Sequence, residues 1–354
     1  MSSGEAGGLG LGAKLGALVI VLAAAGGAAG FVLGVGPFAD SSGSASVSQV
    51  PADSDAVFYV DAAITDDPAT KALVNRSLSA RADDEYYDGP SSYEELREQA
   101  RGNTSLDPSE VEEVLSFAKY PAENASPDAP SYWGVIVHAD WSTEDVAAEL
   151  KNKSTSRTWT ESSYKGHTVY KSEPESEYRD PSWFAVLGDG QFVAGQPTAV
   201  KDAIDVDEGD ADSLGGSVRE AYDGLRDDAL VAFAADVPRE RIPEQSVERA
   251  SQRAPVDYSV FTSIDLVSGA YYTSSDGLGV TVNMRATSAD AAKDVNDVTQ
   301  GGISFASGTV SNETVKQGLR DVEVSRDGST VSVSYEKSVD QVTRLLAALE
   351  RLGM

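Results

Sequence analysis

Leu15–Ala39 is a run of 25 residues without a charge, bounded by Lys14 and Asp40. A helix crosses the hydrocarbon core with about 20 apolar residues, so this run is long enough to span a bilayer. The apolar part of a secretory leader is only about 7–15 residues, whereas this run continues through Phe31, Val32, Leu33 and Val35 to Phe38. Ala23-Ala24-Ala25 offers small residues to signal peptidase, but a cut there would leave an apolar new terminus, and an uncleaved signal-anchor helix is the expectation. Lys14 is the only basic residue ahead of the run, and no second run follows. The prediction is a single-pass protein of the cell membrane, with residues 1–14 cytoplasmic, 15–39 transmembrane and the C-terminal ectodomain outside. Residues 40–50, rich in Ser and Gly, read as a spacer. Gly26, Gly30 and Gly34 fall four apart on one helix face, where a second helix could pack closely.

The asparagines point the same way. Five of seven begin an Asn-X-Ser/Thr sequon, namely Asn75, Asn103, Asn124, Asn152 and Asn312. Roughly one would be expected by chance, and sequons matter only on the side of the membrane that meets the glycosylation machinery. All five lie beyond the span, which predicts an extracellular glycoprotein.

Composition narrows the partners. The chain carries 57 Asp+Glu against 28 Lys+Arg, a net charge of −29 over 354 residues. A phosphate backbone or an anionic lipid surface needs clustered cations, so nucleic acid is not an expected partner. With 0 Cys there are no disulfides, thiolate metal sites or thiol nucleophiles, and 2 His exclude a three-histidine zinc site. Such self-repulsion swells an ordinary domain in dilute buffer, while molar salt shortens the screening length to about 3 Å and removes most of the penalty. Hydrophobic residues at 41% nevertheless argue for a folded domain rather than an acidic tail.

Acidic composition, 17 Arg against 11 Lys, sequon density and the signal-anchor plan together resemble the membrane-anchored surface proteins of extremely halophilic archaea. The resemblance covers the whole chain and rests on composition rather than on a motif. It implies an extracytoplasmic protein working in high salt. The second half also resembles domains of unknown function in such proteins, from which no site residues carry over.

Beyond the spacer the pattern predicts an α+β fold of two related units with mostly antiparallel sheets, 51–228 and 229–354, the first holding a helical insertion at about 65–128. Val57–Asp61 reads as a strand, and 92–101 and 107–119 as helices, the latter opened by Asp107-Pro108. Trp133–Trp141 is a strand leading into a helix capped at Ser142 or Thr143. Strands follow at about 158–172 and 183–195, the latter a hairpin turning at Asp189-Gly190, with a helix after Pro197. The order then recurs. Gly279–Asp290 parallels Gly134–Asp145 at a constant offset, Val322–Val333 parallels the 184–195 hairpin, and Val-Phe-x-x-Asp strand signals occur at 57–61 and, with one extra residue, at 260–265. Val339, Val342, Leu345, Leu346, Leu349 and Leu352 mark the apolar face of a final helix.

Catalytic motifs are missing. Carboxylate pairs are expected from abundance alone in so acidic a chain. A nucleophile–histidine–carboxylate triad would need His138 or His167, and no Gly-x-Ser-x-Gly elbow supports it. Asp205, Asp207, Asp210 and Asp212 form the densest run of oxygen ligands, but glycine stands fifth rather than sixth and no bidentate glutamate closes a calcium loop. A solvated acidic loop is the better reading, with calcium as the one cofactor it would suit. Gly188-Asp-Gly190 and Gly301-Gly302 lack the context of a phosphate cradle. Trp133, Trp141, Trp159 and Trp183 fall on or beside strands as core residues, or else as an aromatic strip for glycan or a partner. The functional expectation is a non-enzymatic surface glycoprotein with a binding or structural role in the envelope, partnered by an envelope protein or glycan. The alternatives are an extracytoplasmic carboxylate-dependent hydrolase around His138, Asp140 or Asp205, and a membrane-tethered accessory subunit of an envelope complex.

Overall fold

A computed structural model describes residues 47–82, 89–120, 132–153, 158–173, 181–188, 190–239, 258–275 and 277–351. The segment 15–39, with Gly26, Gly30 and Gly34, lies outside them, as does Asn124. Among the described residues no helix is long and apolar enough to cross a membrane. The fold is α+β with antiparallel strand pairing, as the sequence pattern predicts. The chain divides into two compact units. One holds the described residues up to Asp236 together with Ser268–Thr273, and the other those of Val237–Val267 and from Ser274 onward.

The larger unit opens with β1 (Ala56–Asp61), α1 (Pro68–Ala82), α2 (Tyr93–Asn103), β2 (Val111–Lys119), β3 (Tyr132–Ala139) and α3 (Thr143–Lys153). The hairpins β4 (Thr158–Tyr164)–β5 (His167–Glu173) and β6 (Trp183–Gly188)–β7 (Gln191–Gly195) follow, then α4 (Pro197–Asp207), α5 (Gly216–Asp223) and β8 (Val231–Asp236). Sheet order is β8-β1-β2-β3-β7-β6-β5-β4, each neighbour antiparallel. Val57, Leu115, Phe117, Ile136 and Val193 share one face of this sheet, where α4 buries Ala199, Val200, Ala203 and Ile204 completely. The opposite face packs Val111, Val114, Val135 and Ala139 in a cluster, against which the partly buried Trp133 and Trp141 lie. Trp141, Phe192, Phe184 and Tyr170 continue this face as a chain of ring contacts at 5.8–6.3 Å.

Two expectations are corrected here. Residues 107–119 are not a helix. Asp107 caps a single 3-10 turn at Pro108–Glu110, and Val111–Lys119 then runs as β2 between β1 and β3. The stretch reads as helix because Val111, Val114 and Leu115 are spaced three and four apart. That spacing arises from a bulge between Val111 and Glu113 and from burial on both faces, which erases the alternation of a half-exposed strand. The region read as one strand at 158–172 is likewise a hairpin, turning at Lys165-Gly166 with both residues at positive φ.

The C-terminal unit contains part of β9 (Ile264–Ser274), then β10 (Gly277–Ala286), α6 (Ala289–Thr309), α7 (Glu313–Arg320), β11 (Glu323–Asp327), β12 (Thr330–Lys337) and α8 (Val339–Glu350). β12 pairs antiparallel with both β10 and β11. Ile264, Ala286, Ala292, Val295 and Val331 form its core, with α6 laid against the strands. The helix starts follow the expected chemistry. Ser288 accepts from the Ala291 amide, Asn312 from those of Thr314 and Val315, and Ser338 forms a capping box with Gln341. The Val-Phe signal at 260–265 is corrected, since Val260 and Phe261 lie in a 3-10 segment (Tyr258–Ser263) ahead of β9.

Candidate functional site

Strand order assembles a row of polar side chains that are remote in sequence. Asp61 on β1 stands opposite Glu113 on β2, Glu113 opposite His138 on β3, and His138 opposite Gln191 on β7. Asp61 is buried at 6% exposure, and its carboxylate caps the turn after β1 by accepting from the Ala63 amide at 2.8 Å. His138 brings Nδ1 within 2.6 Å of Glu113 Oε1 and Nε2 within 2.9 Å of Gln49 Oε1, while Gln49 Nε2 donates to Gln191 Oε1 at 2.8 Å. Tyr59 and Tyr222 are buried nearby. Burial first, and then the charges of Asp61 and Glu113, push the Tyr59 phenol far above its ordinary value. For Tyr222, burial and Glu113 act in the same direction.

A second cluster fixes the tip of the β4–β5 hairpin to the end of α4. Lys165 Nζ lies 2.7 Å from Asp205 Oδ1 and 2.8 Å from Asp210 Oδ2, and the Tyr164 hydroxyl donates to Asp205 at 3.1 Å. The two carboxylates hold the ammonium charged, lifting its pKa above the ordinary lysine value. His167 Nδ1 lies 3.0 Å from the Val186 carbonyl and Nε2 2.7 Å from Glu208 Oε1. Burial opposes the charged ring, but the bonds to Glu208 and Val186 outweigh it, and the His167 pKa sits above its usual value.

The sequence-predicted residues fall as follows. Of the acidic run, Asp205 and Asp210 are bridged by Lys165, Asp207 accepts a long 3.4 Å bond from Gln49, and Asp212 is exposed, with its backbone carbonyl taken by the Ala52 amide. Asp140, at the end of β3, is exposed. Trp183 lies beneath two ammonium groups, with Lys171 Nζ 4.5 Å and Lys201 Nζ 4.9 Å from the ring centroid. Of the sequons, Asn75 lies on α1, where its Oδ1 accepts from the Tyr93 amide at 2.7 Å, and Asn312 spends its Oδ1 on the cap of α7. Asn103 and Asn152 lie near the ends of α2 and α3. Sequence reasoning missed Glu113, Gln49 and Gln191, which carried no motif; Glu113 stood on a strand misread as helix, Gln49 in the segment read as spacer, and Gln191 on a correctly read hairpin whose neighbour in the sheet was unknown.

No family model matches the chain, and no curated protein matches it. Two solved structures are similar at 10% identity. Crystal form I of TP0453 aligns over 86% of this chain and 99% of that one with a TM-score of 0.40. Crystal form III of the same protein aligns over 85% and 97% with a TM-score of 0.41.

Proposed function

We propose that this chain is a non-enzymatic, single-pass surface glycoprotein whose acidic ectodomain binds or builds within the cell envelope in high salt. The observation that carries the reading is the agreement of span and sequons. Five sequons all lie beyond residues 15–39, and the two with described side chains commit only their Oδ1 oxygens to the bonds above. The amide nitrogens, which would carry the glycan, take no part in those bonds.

The histidines support the non-enzymatic part. The chain has only two, and each is held by protein partners at both ring nitrogens, with no serine or threonine hydroxyl among those partners. We also read two related halves. In both, a strand leads into a helix, and a later hairpin returns its second strand antiparallel to the first strand: β7 to β3 after the extra β4–β5 hairpin, and β12 to β10 after the extra helix α7.

The test is glycopeptide mass spectrometry after protease shaving of intact cells in native salt. Glycosylated peptides spanning Asn75 and Asn312, released from outside, are the expected result. Unmodified peptides released only after lysis overturn it. For the accessory-subunit alternative, replacing Gly26, Gly30 and Gly34 with Leu should abolish co-purification of a partner.

A further inference from the structure

Three ligand atoms converge where the β4–β5 hairpin meets the end of α4. His167 opens β5, Asp207 closes α4 and Glu208 is its C-cap, and one ligand atom from each lies within 4.8 Å of the other two. The imidazole is held from behind. The Val186 carbonyl can only accept, so Nδ1 carries the hydrogen and donates to it, and the His167 side chain is only 11% exposed. When a cation displaces the proton that Nε2 shares with Glu208, the ring presents its Nε2 lone pair to that cation beside the two carboxylates. Fixing of the far nitrogen by a backbone carbonyl is the usual support of an imidazole that ligates a metal.

We propose that His167, Asp207 and Glu208 bind a divalent transition-metal cation of the zinc class. Imidazole with two carboxylates suits zinc and its neighbours, whereas calcium and magnesium take oxygen ligands. Lys165 sorts the surrounding charge, because it bridges Asp205 and Asp210 and leaves the other two acids to a cation. The carbonyl end of α4 adds negative potential at the same place. Ligands about 2.1 Å from a tetrahedral metal stand roughly 3.4 Å apart. Glu208, 44% exposed, is the side chain that moves out from its 2.7 Å contact to reach that spacing. Water would fill the remaining position on the solvent side. The site takes Asp207 and Glu208 from the acidic run 205–212 that sequence alone suggested and adds His167 from a different element, and it does not depend on the envelope reading. Bound metal would fasten the hairpin to α4, so binding adds to folding stability.

The test uses the full chain in detergent and molar potassium chloride, at mildly alkaline pH, with excess magnesium to fill oxygen-only sites. Cobalt(II) absorption and zinc calorimetry read the uptake. One equivalent and a raised thermal midpoint are expected, weakened at least about tenfold by His167→Gln and by Glu208→Gln, and unchanged by Asp212→Asn. Glu208 is exposed, so its variant keeps the test valid if His167→Gln misfolds. No uptake, several equivalents insensitive to both substitutions, or one equivalent that survives His167→Gln each overturns the site.

Discussion

His138 and Glu113 face each other across β3 and β2, with Nδ1 2.6 Å from Oε1 and side chains only 20% and 14% exposed. A half-buried pair of this kind costs more to break than it contributes when whole, because the survivor keeps its desolvation penalty without its partner. His138→Leu strands Glu113 and should lower unfolding free energy by about 2 kcal/mol. Adding Glu113→Leu should restore most of that loss. Urea unfolding of the three proteins checks both statements, and a double variant weaker than the single one contradicts the account.

The pair also shows what the sequence makes legible and what it hides. β3, the hairpin turning at Asp327-Gly328 and the capped helices α3, α6 and α8 rest on local chemistry, namely a strand period, a turn dipeptide and a side chain accepting from an amide within three residues. β2 hides because Val114 and Leu115 are buried on opposite faces. Hidden with it is Glu113, and so is the row from Asp61 to Gln191, which four strands bring together only through their order in the sheet. His167 and Glu208 are 41 residues apart, and no spacing rule joins them.

Gly134 sits opposite Phe117 on the same two strands, and a Cβ there would land on the Phe117 ring. Phe117 is 2% exposed and cannot swing aside into solvent. Gly134→Ala should therefore cost about 1–3 kcal/mol as overpacking. Phe117→Leu in the Gly134→Ala background should relieve part of the cost, although Phe117→Leu alone destabilises. Thermal unfolding of the four-protein cycle measures the coupling, and simple additivity would show that the ring is not the obstacle.

Buried phenols set the alkaline limit. Burial, with nearby carboxylates adding to it, pushes Tyr59, Tyr132 and Tyr222 well above the ordinary 10. Tyr271 and Tyr335 are pushed up to about 12, again chiefly by burial. A raised folded value means that the stabilising contribution is complete below pH 10 and is lost as pH rises towards the folded values. Each such phenol lowers stability by about 1.4 kcal/mol per pH unit in that window. Phenolate absorbance should rise in two stages, exposed tyrosines first and these five together with loss of far-UV dichroism. Complete ionisation with the fold intact would contradict it.

Salt should stabilise this protein far beyond its effect on a neutral domain. Residues from 51 onward carry 55 acidic and 27 basic groups, 27 − 55 = −28. Several lysines that could screen them are already committed, such as Lys165 to Asp205 and Asp210 and Lys119 to Asp53. Repulsion among the remaining carboxylates reaches about 10 Å at 0.1 M salt and about 3 Å at 1 M, so the compact state gains as screening tightens. The exposed ion pairs weaken over the same range, but water already screens them, so their loss is too small to reverse the trend. The urea midpoint should rise with potassium chloride, and it should rise nearly as much with sodium chloride at equal ionic strength, because screening is not ion-specific. Neutralising exposed acids, for example Asp212→Asn with Asp140→Asn, should raise stability in dilute buffer and change little in molar salt. A midpoint that falls with added salt would mean that attraction between the paired charges, not repulsion among the unpaired ones, governs this surface.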